Sequence, residues 1–129
     1  MQRLTPHEVL ALAREQGERA TCDECAPYAS PGWESFPSTA SEAALQSLGA
    51  LWLPGDDEPT LQEQRASGVD QWSAQAPIAL AFHPCNRCEV WCCRHCDKPF
   101  LRYTEYGGYY QDARIRALDA ALLDDTPAA

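Results

Sequence analysis

No run of apolar residues in this chain approaches the ~20 needed to cross a bilayer, so neither a membrane span nor a membrane partner is expected. The opening stretch, MQRLTPHEVLALAREQGE, lacks the roughly seven-residue apolar centre of a secretory signal and mixes acids with its bases, which also argues against a transit peptide. A cytoplasmic, reducing location is the resulting expectation. Catalytic signatures are missing as well. There is no G-x-S-x-G, phosphate loop, dinucleotide fingerprint or H-E-x-x-H, and no spacing pairs two carboxylates for acid–base work. The sequence leans away from an enzyme.

Positive charge is scarce and local. Ten Lys and Arg stand against nineteen Asp and Glu, a net charge of -9. Residues 1–82 sum to -8 and residues 117–129 to -3, whereas residues 83–116 sum to +2. Nonspecific nucleic-acid affinity comes from neutralising phosphates, which a pI of about 4.6 opposes for the chain as a whole. Any nucleic-acid contact would have to use the 83–116 segment. No internal repeat or low-complexity tract is present.

Cysteine is what the chain has in quantity. Five of its seven cysteines fall in CNRCEVWCCRHC, residues 85–96, and the other two in TCDECAP. An odd total in a reducing compartment argues against a complete disulfide framework, and three C-x-x-C pairs point to a metal site. Four thiolates saturate a tetrahedral zinc ion and leave no position for water, which favours structure over catalysis. A redox use of Cys22-Asp23-Glu24-Cys25 is the weaker reading, because two acids inside the motif raise thiol pKa values and Pro27 breaks any helix that would stabilise a thiolate.

Local signals place these cysteines. Thr5-Pro6-His7-Glu8 is a capping box with proline at the first helical position, Leu4 and Val9 form a hydrophobic staple, and Gly17 offers a stop, which predicts a helix over 6–16. The stretch CDECAPYASPGWESFPST is too rich in proline for regular structure, yet Tyr28, Trp33 and Phe36 make it a packed loop rather than a linker. Capping boxes at Thr39–Glu42 and Thr60–Glu63 predict short helices at 40–48 and 61–67. Strands are expected at 78–82 and 88–92, and a hairpin at 100–110 whose Gly107-Gly108 loop supplies positive φ angles. Asp112 would cap a final helix bearing Ile115, Leu118, Ala121 and Leu122 on one apolar face. The expected fold is α+β: one domain over 1–129, with a helical and irregular part (1–76), a cysteine-rich β part (77–111) and a C-terminal helix (112–123). A small antiparallel sheet carrying a metal knuckle would thus be flanked by N-terminal helices and a C-terminal helix.

The segment VWCCRHCDKPFLRY runs strand, turn, C-x-x-C, then an aromatic-led strand, and it resembles one half of a zinc ribbon or rubredoxin-like knuckle. Asp97 stands where that family usually has glycine. Two pairs compete to complete a site with Cys93 and Cys96. Cys85 and Cys88 are close in sequence, but if 88–92 is a strand, Cys88 and Cys93 lie roughly 16 Å apart at ~3.3 Å per residue. Cys22 and Cys25 close a longer loop at little extra entropy, because closure scales with the logarithm of length. The preferred ligand set is Cys22, Cys25, Cys93 and Cys96, with Cys85 and Cys88 replacing the first pair as the alternative. Zn2+ is the expected ion and iron the alternative. Cys92 reads as a small buried apolar residue, His83 as a polar core or surface residue, and His95 as solvent-facing.

Near the knuckle, basic and aromatic residues interleave: Arg94, Lys98, Arg102, Tyr103 and Tyr106 are the candidate partner-binding residues. The same pattern also fits a sheet whose aromatics simply cover its core. The leading reading is a zinc-stabilised, non-enzymatic module that binds an unidentified protein. A rubredoxin-like iron electron carrier is the second reading, and a zinc ribbon that binds single-stranded nucleic acid is the third.

Overall fold

The computed structural model describes residues 1–37, 42–64, 69–124 and 126. Its first element is helix α1 (Pro6–Gln16), fixed at its start by a reciprocal capping box. The Glu8 N–H donates to Thr5 Oγ1 and the Thr5 N–H to Glu8 Oε1, both at 3.1 Å. Val9 and Ala13 face inward, and Leu4 packs in the same apolar cluster as Val9, as a staple requires.

The strands follow in chain order: β1 (Glu34–Ser35), β2 (Leu45–Ala50), β3 (Ile78–Ala79), β4 (Glu89–Cys93), β5 (Pro99–Tyr106), β6 (Gln111–Ala117) and β7 (Leu123–Asp124). Five of them form one antiparallel sheet in the order β1-β6-β5-β4-β2, while β3 and β7 pair in parallel. Pairing Val90 with Leu101 and Trp91 with Phe100 sets the register between β4 and β5. Adjacent strand residues point to opposite faces. Leu101 and Val90 therefore join Val9, Ala13, Ile78 and Leu118 in a core under α1, while Phe100 joins Tyr28, Leu45, Ile115, Cys25 and Cys93 in a second cluster. The sheet is buried on both faces, with residues 22–36 covering the second.

The architecture is mixed helix and strand around a small antiparallel sheet, but α1 is the one α-helix among the described residues. The other expected helices are corrected as follows. At 40–48 the described residues form a 3-10 turn (Glu42–Ala44) and then β2, because edge pairing with β4 overrides the helix formers of AALQSLG; Thr39 and residues 40–41 lie outside the described residues. At 61–67 the described residues 61–64 are irregular: Thr60 Oγ1 accepts from the Gln62 N–H at 3.1 Å and closes a turn, while 65–67 lie outside the described residues. The C-terminal helix at 112–123 is replaced by β6, a 3-10 turn (Ala120–Leu122) and β7. Asp112 caps no helix; its carboxylate accepts from Ser35 Oγ at 2.8 Å, and Asp119 caps the later turn instead.

Two strand expectations also change in detail. The strand expected at 78–82 stops at Ala79. The hairpin turns through residues 107–110 rather than two glycines, and neither glycine has a positive φ. A Cβ on Gly107 would meet the Tyr110 ring, which is more than half exposed and would have to shift aside. A positive φ does occur at Gly49, at 146°, beside the bulge where β2 shifts against β4. No described helix is long and apolar enough to cross a membrane.

Candidate metal centre

The β4–β5 hairpin builds half of the site. Cys93 ends β4, residues 94–96 turn, and β5 begins at Pro99. The turn is closed by the Asp97 N–H donating to Cys93 O at 3.0 Å and the Cys93 N–H donating to Lys98 O at 3.0 Å. The chain escapes the turn through Asp97, whose φ is 64°. That left-handed conformation is free for glycine, and aspartate tolerates it better than most other side chains. Asp97→Gly should leave stability unchanged or raise it, whereas Asp97→Val should cost about 1–2 kcal/mol in chemical denaturation.

The other half is the turn after α1. The Ala26 N–H donates to Cys22 O at 3.0 Å, and the Tyr28 N–H to Cys25 O at 2.9 Å. Tyr28 anchors this turn in the second core cluster, edge-on to Phe100 with ring centroids 6.5 Å apart. Lys98 supplies the bracket between the halves. Its ammonium donates to Gly17 O at 3.2 Å and Arg19 O at 2.9 Å, and thus fixes the exit of α1 against the β4–β5 turn.

The structure brings Cys22, Cys25, Cys93 and Cys96 together, with all four sulfurs within 4.8 Å of one another. The Cys22–Cys25, Cys22–Cys93 and Cys25–Cys96 separations are 3.8, 3.5 and 3.6 Å. A tetrahedral ion with metal–sulfur bonds of about 2.3 Å has sulfur–sulfur edges of about 3.8 Å, so this donor set fits such an ion. The His95 N–H points at Cys93 Sγ from 3.4 Å, as a main-chain donor to a thiolate does. Burial pushes the Cys25 and Cys93 thiols up. Burial acts the same way on Cys96, but the Lys98 N–H and the neighbouring thiols outweigh it and bring that thiol to about 7. A cation bound at the centre would replace these protons.

Cys85 and Cys88 lie elsewhere. They are buried in the core under α1, on the other face of the sheet, and Cys88 Sγ donates to Pro84 O at 3.3 Å. Cys92 is buried, with its sulfur facing Gln46 Nε2 at 3.4 Å. His83 is half-buried, and burial together with nearby Arg87 lowers its pKa; His95 is exposed.

The candidate partner-binding residues are dispersed. Arg94 and Tyr106 are exposed. Lys98 forms the bracket just described. Arg102 is held between the Phe36 and Trp91 rings, 4.2 and 4.7 Å from their centroids, and pairs with Glu42 at 2.7 Å. Tyr103 is buried edge-on to Trp33, its hydroxyl accepting from Arg114 Nη1 at 2.9 Å. The sequence reading missed Arg116, which is fully buried; the strict alternation of ARIRA, with both arginines on one face of β6, is the signal that could have found it. Compared with protein-family models, with curated proteins and with solved structures, the chain has no match.

Proposed function

We propose that Cys22, Cys25, Cys93 and Cys96 hold one Zn2+ ion, and that the ion is structural in a non-enzymatic module that binds another protein. The observation that carries this reading is the convergence of four sulfurs, contributed by two turns about seventy residues apart, at separations that match a tetrahedral ion. Four thiolates leave such an ion no open position, so it would fasten residues 22–36 to the sheet rather than polarise a substrate. Cytoplasmic placement goes with this reading, since the thiols must stay reduced to bind.

The exposed aromatic residues support protein recognition. At the tip of the β5–β6 hairpin, Tyr106, Tyr109 and Tyr110 are 70%, 104% and 56% exposed, flanked by Glu105 and Asp112. Tyrosine is over-represented among residues that dominate protein interfaces, and the flanking acids suit a partner that presents arginine. A phosphate backbone is disfavoured there, and Arg102 and Tyr103, which a nucleic-acid surface would need, are occupied inside the fold.

Elemental analysis of the purified chain tests the metal. About one zinc per chain and a colourless solution are expected. A red protein with thiolate-to-iron absorption would replace this reading with electron transfer, and a folded metal-free protein would overturn both.

A further inference from the structure

Cys85-Asn86-Arg87-Cys88 is a C-x-x-C pair that the metal centre leaves unused. Residues 85–87 form a 3-10 turn in which the Arg87 N–H donates to Pro84 O at 3.1 Å and the Cys88 N–H to Cys85 O at 3.2 Å. Such a turn holds its first and fourth Cα atoms within about 7 Å, and a disulfide spans about 4.4–6.8 Å. The two cysteines are within bridging reach.

Their surroundings differ. Cys85 lines a cavity of about 310 Å³ whose rim carries the exposed residues Asp70 and Trp72, so small solutes reach it from solvent. Cys88 lies deeper, with no exposed surface, and its thiol donates to Pro84 O at 3.3 Å. Arg116, on the same cavity wall, is fully buried; its Nη2 donates to Pro31 O at 2.9 Å and Ala76 O at 3.0 Å, while Nε and Nη1 have no hydrogen-bond partner. A buried cation is costly unless negative charge stands near it. The groups that supply such charge are Cys85, Cys88 and Asp119, in that order. The Cys88 thiol, joined by Arg116 and the Ala79 N–H, holds Cys85 below the ordinary thiol value against the effect of burial, whereas burial holds Cys88 above it.

We propose that Cys85 and Cys88 are a peroxide-reactive dithiol that closes to a disulfide, with Cys85 as the attacking sulfur and Cys88 as the resolving one. The co-reactant is a small hydroperoxide, little larger than water, for which the cavity has room. The Cys85 thiolate attacks one peroxide oxygen, the O–O bond breaks, and the other oxygen leaves as water with the proton that Cys85 gave up. Cys85 is then a sulfenic acid. The Cys88 sulfur attacks Cys85 Sγ, the S–O bond breaks, and the hydroxyl leaves as water with the Cys88 proton. Two thiols and one hydrogen peroxide thus give one disulfide and two waters, each sulfur losing one electron. A dithiol reductant reverses the closure by thiol–disulfide exchange.

Hydrogen peroxide added to the full chain as purified, then alkylation of the remaining thiols and peptide mapping, tests the site; cleavage after Arg87 puts the two cysteines on separate peptides. A Cys85–Cys88 link that dithiothreitol reopens is expected. In Cys88→Ala the sulfenic acid has no resolving sulfur, so dimedone should label Cys85; in Cys85→Ala, Cys88 should stay unlabelled. Arg116→Met should slow disulfide formation at pH 7 by about tenfold and move the midpoint of its pH–rate profile up by about one unit, because one unit of thiol pKa is a tenfold change in thiolate. Peroxide treatment that leaves Cys85 a free thiol would overturn the proposal. Dimedone on Cys88 in place of Cys85, or a parental rate and pH profile in Arg116→Met, would overturn it too. Should Arg116→Met not fold, the dimedone labelling of the two alanine variants still decides. Neither the link nor the label depends on zinc, so the metal centre stands or falls separately.

Discussion

Stripping the metal with a chelator is expected to abolish the cooperative unfolding transition of this chain, and Cys25→Ser is expected to do the same without chelator. The reason is the size of what is lost. Structural zinc contributes an apparent 10–16 kcal/mol or so at pH 7 to sites of this kind, which equals or exceeds the roughly 5–15 kcal/mol by which ordinary domains are stable. Here the ion would bridge two turns that are otherwise joined by the Lys98 bracket, by the packing of Tyr28 on Phe100 and, further along the chain, by the pairing of β1 with β6. Without it, three buried or half-buried thiols crowd around Cys25 with no cation to bind, and the turn at residues 22–25 loses its link to the β4–β5 turn. Denaturant unfolding followed by circular dichroism reads the loss as a broad, noncooperative melt. A sharp transition of unchanged midpoint in the chelated protein would mean that the thiol cluster is packing rather than a metal site.

Phe100→Ala should be the most damaging substitution outside the cysteines, at about 3–5 kcal/mol, the usual range for emptying a fully buried phenylalanine site. Phe100 has no exposed surface and lies in the same cluster as Cys25, Cys93 and Tyr28, so its cavity opens directly behind the cysteine cluster. Neighbouring backbone is held by β4 and β6, which limits collapse into the space. Zinc should still bind, with the denaturation midpoint sharply lowered. A loss under about 1 kcal/mol would show that the turn carrying Tyr28 does not depend on this ring.

What could be read from the sequence follows from how local each signal is. The start of α1 was legible because Thr5, Pro6 and Glu8 satisfy the helix end among themselves, and the β4–β5 turn was legible because its cysteine spacing is a local turn geometry. The proximity of Cys22 and Cys25 to Cys93 and Cys96 was reachable only by elimination, by reading 88–92 as a strand, close to the observed β4. The pattern failed where pairing decides. In QDARIRALDAALL, Ile115, Leu118 and Leu122 sit at helical spacing, while Ala113, Ile115 and Ala117 alternate with Arg114 and Arg116 at strand spacing. Pairing with β5 selects the second pattern. Likewise AALQSLG carries helix formers, and the backbone of β4 beside it makes a strand of it.

The roles of the basic and aromatic residues were hidden for a related reason. Alternation along β5 places Phe100 and Arg102 on one face and Leu101 and Tyr103 on the other, but it does not say whether either face is covered. Both are. Arg102 is therefore flanked by Phe36 and Trp91, and Tyr103 by Trp33 and Arg114. The exposed tyrosines lie at the tip of the β5–β6 hairpin, Tyr106 at the end of β5 and Tyr109 and Tyr110 in the turn.

The most direct test of the central claim is zinc stoichiometry in two single variants, Cys22→Ser and Cys88→Ser, each measured by elemental analysis after the same purification. Cys22 lies in the sulfur cluster and Cys88 on the opposite face of the sheet, so the variants separate the two ways of completing a site with Cys93 and Cys96. Cys22→Ser should lose its zinc and Cys88→Ser should keep a full equivalent. A full equivalent of zinc in Cys22→Ser, with loss from Cys88→Ser, would contradict the assignment.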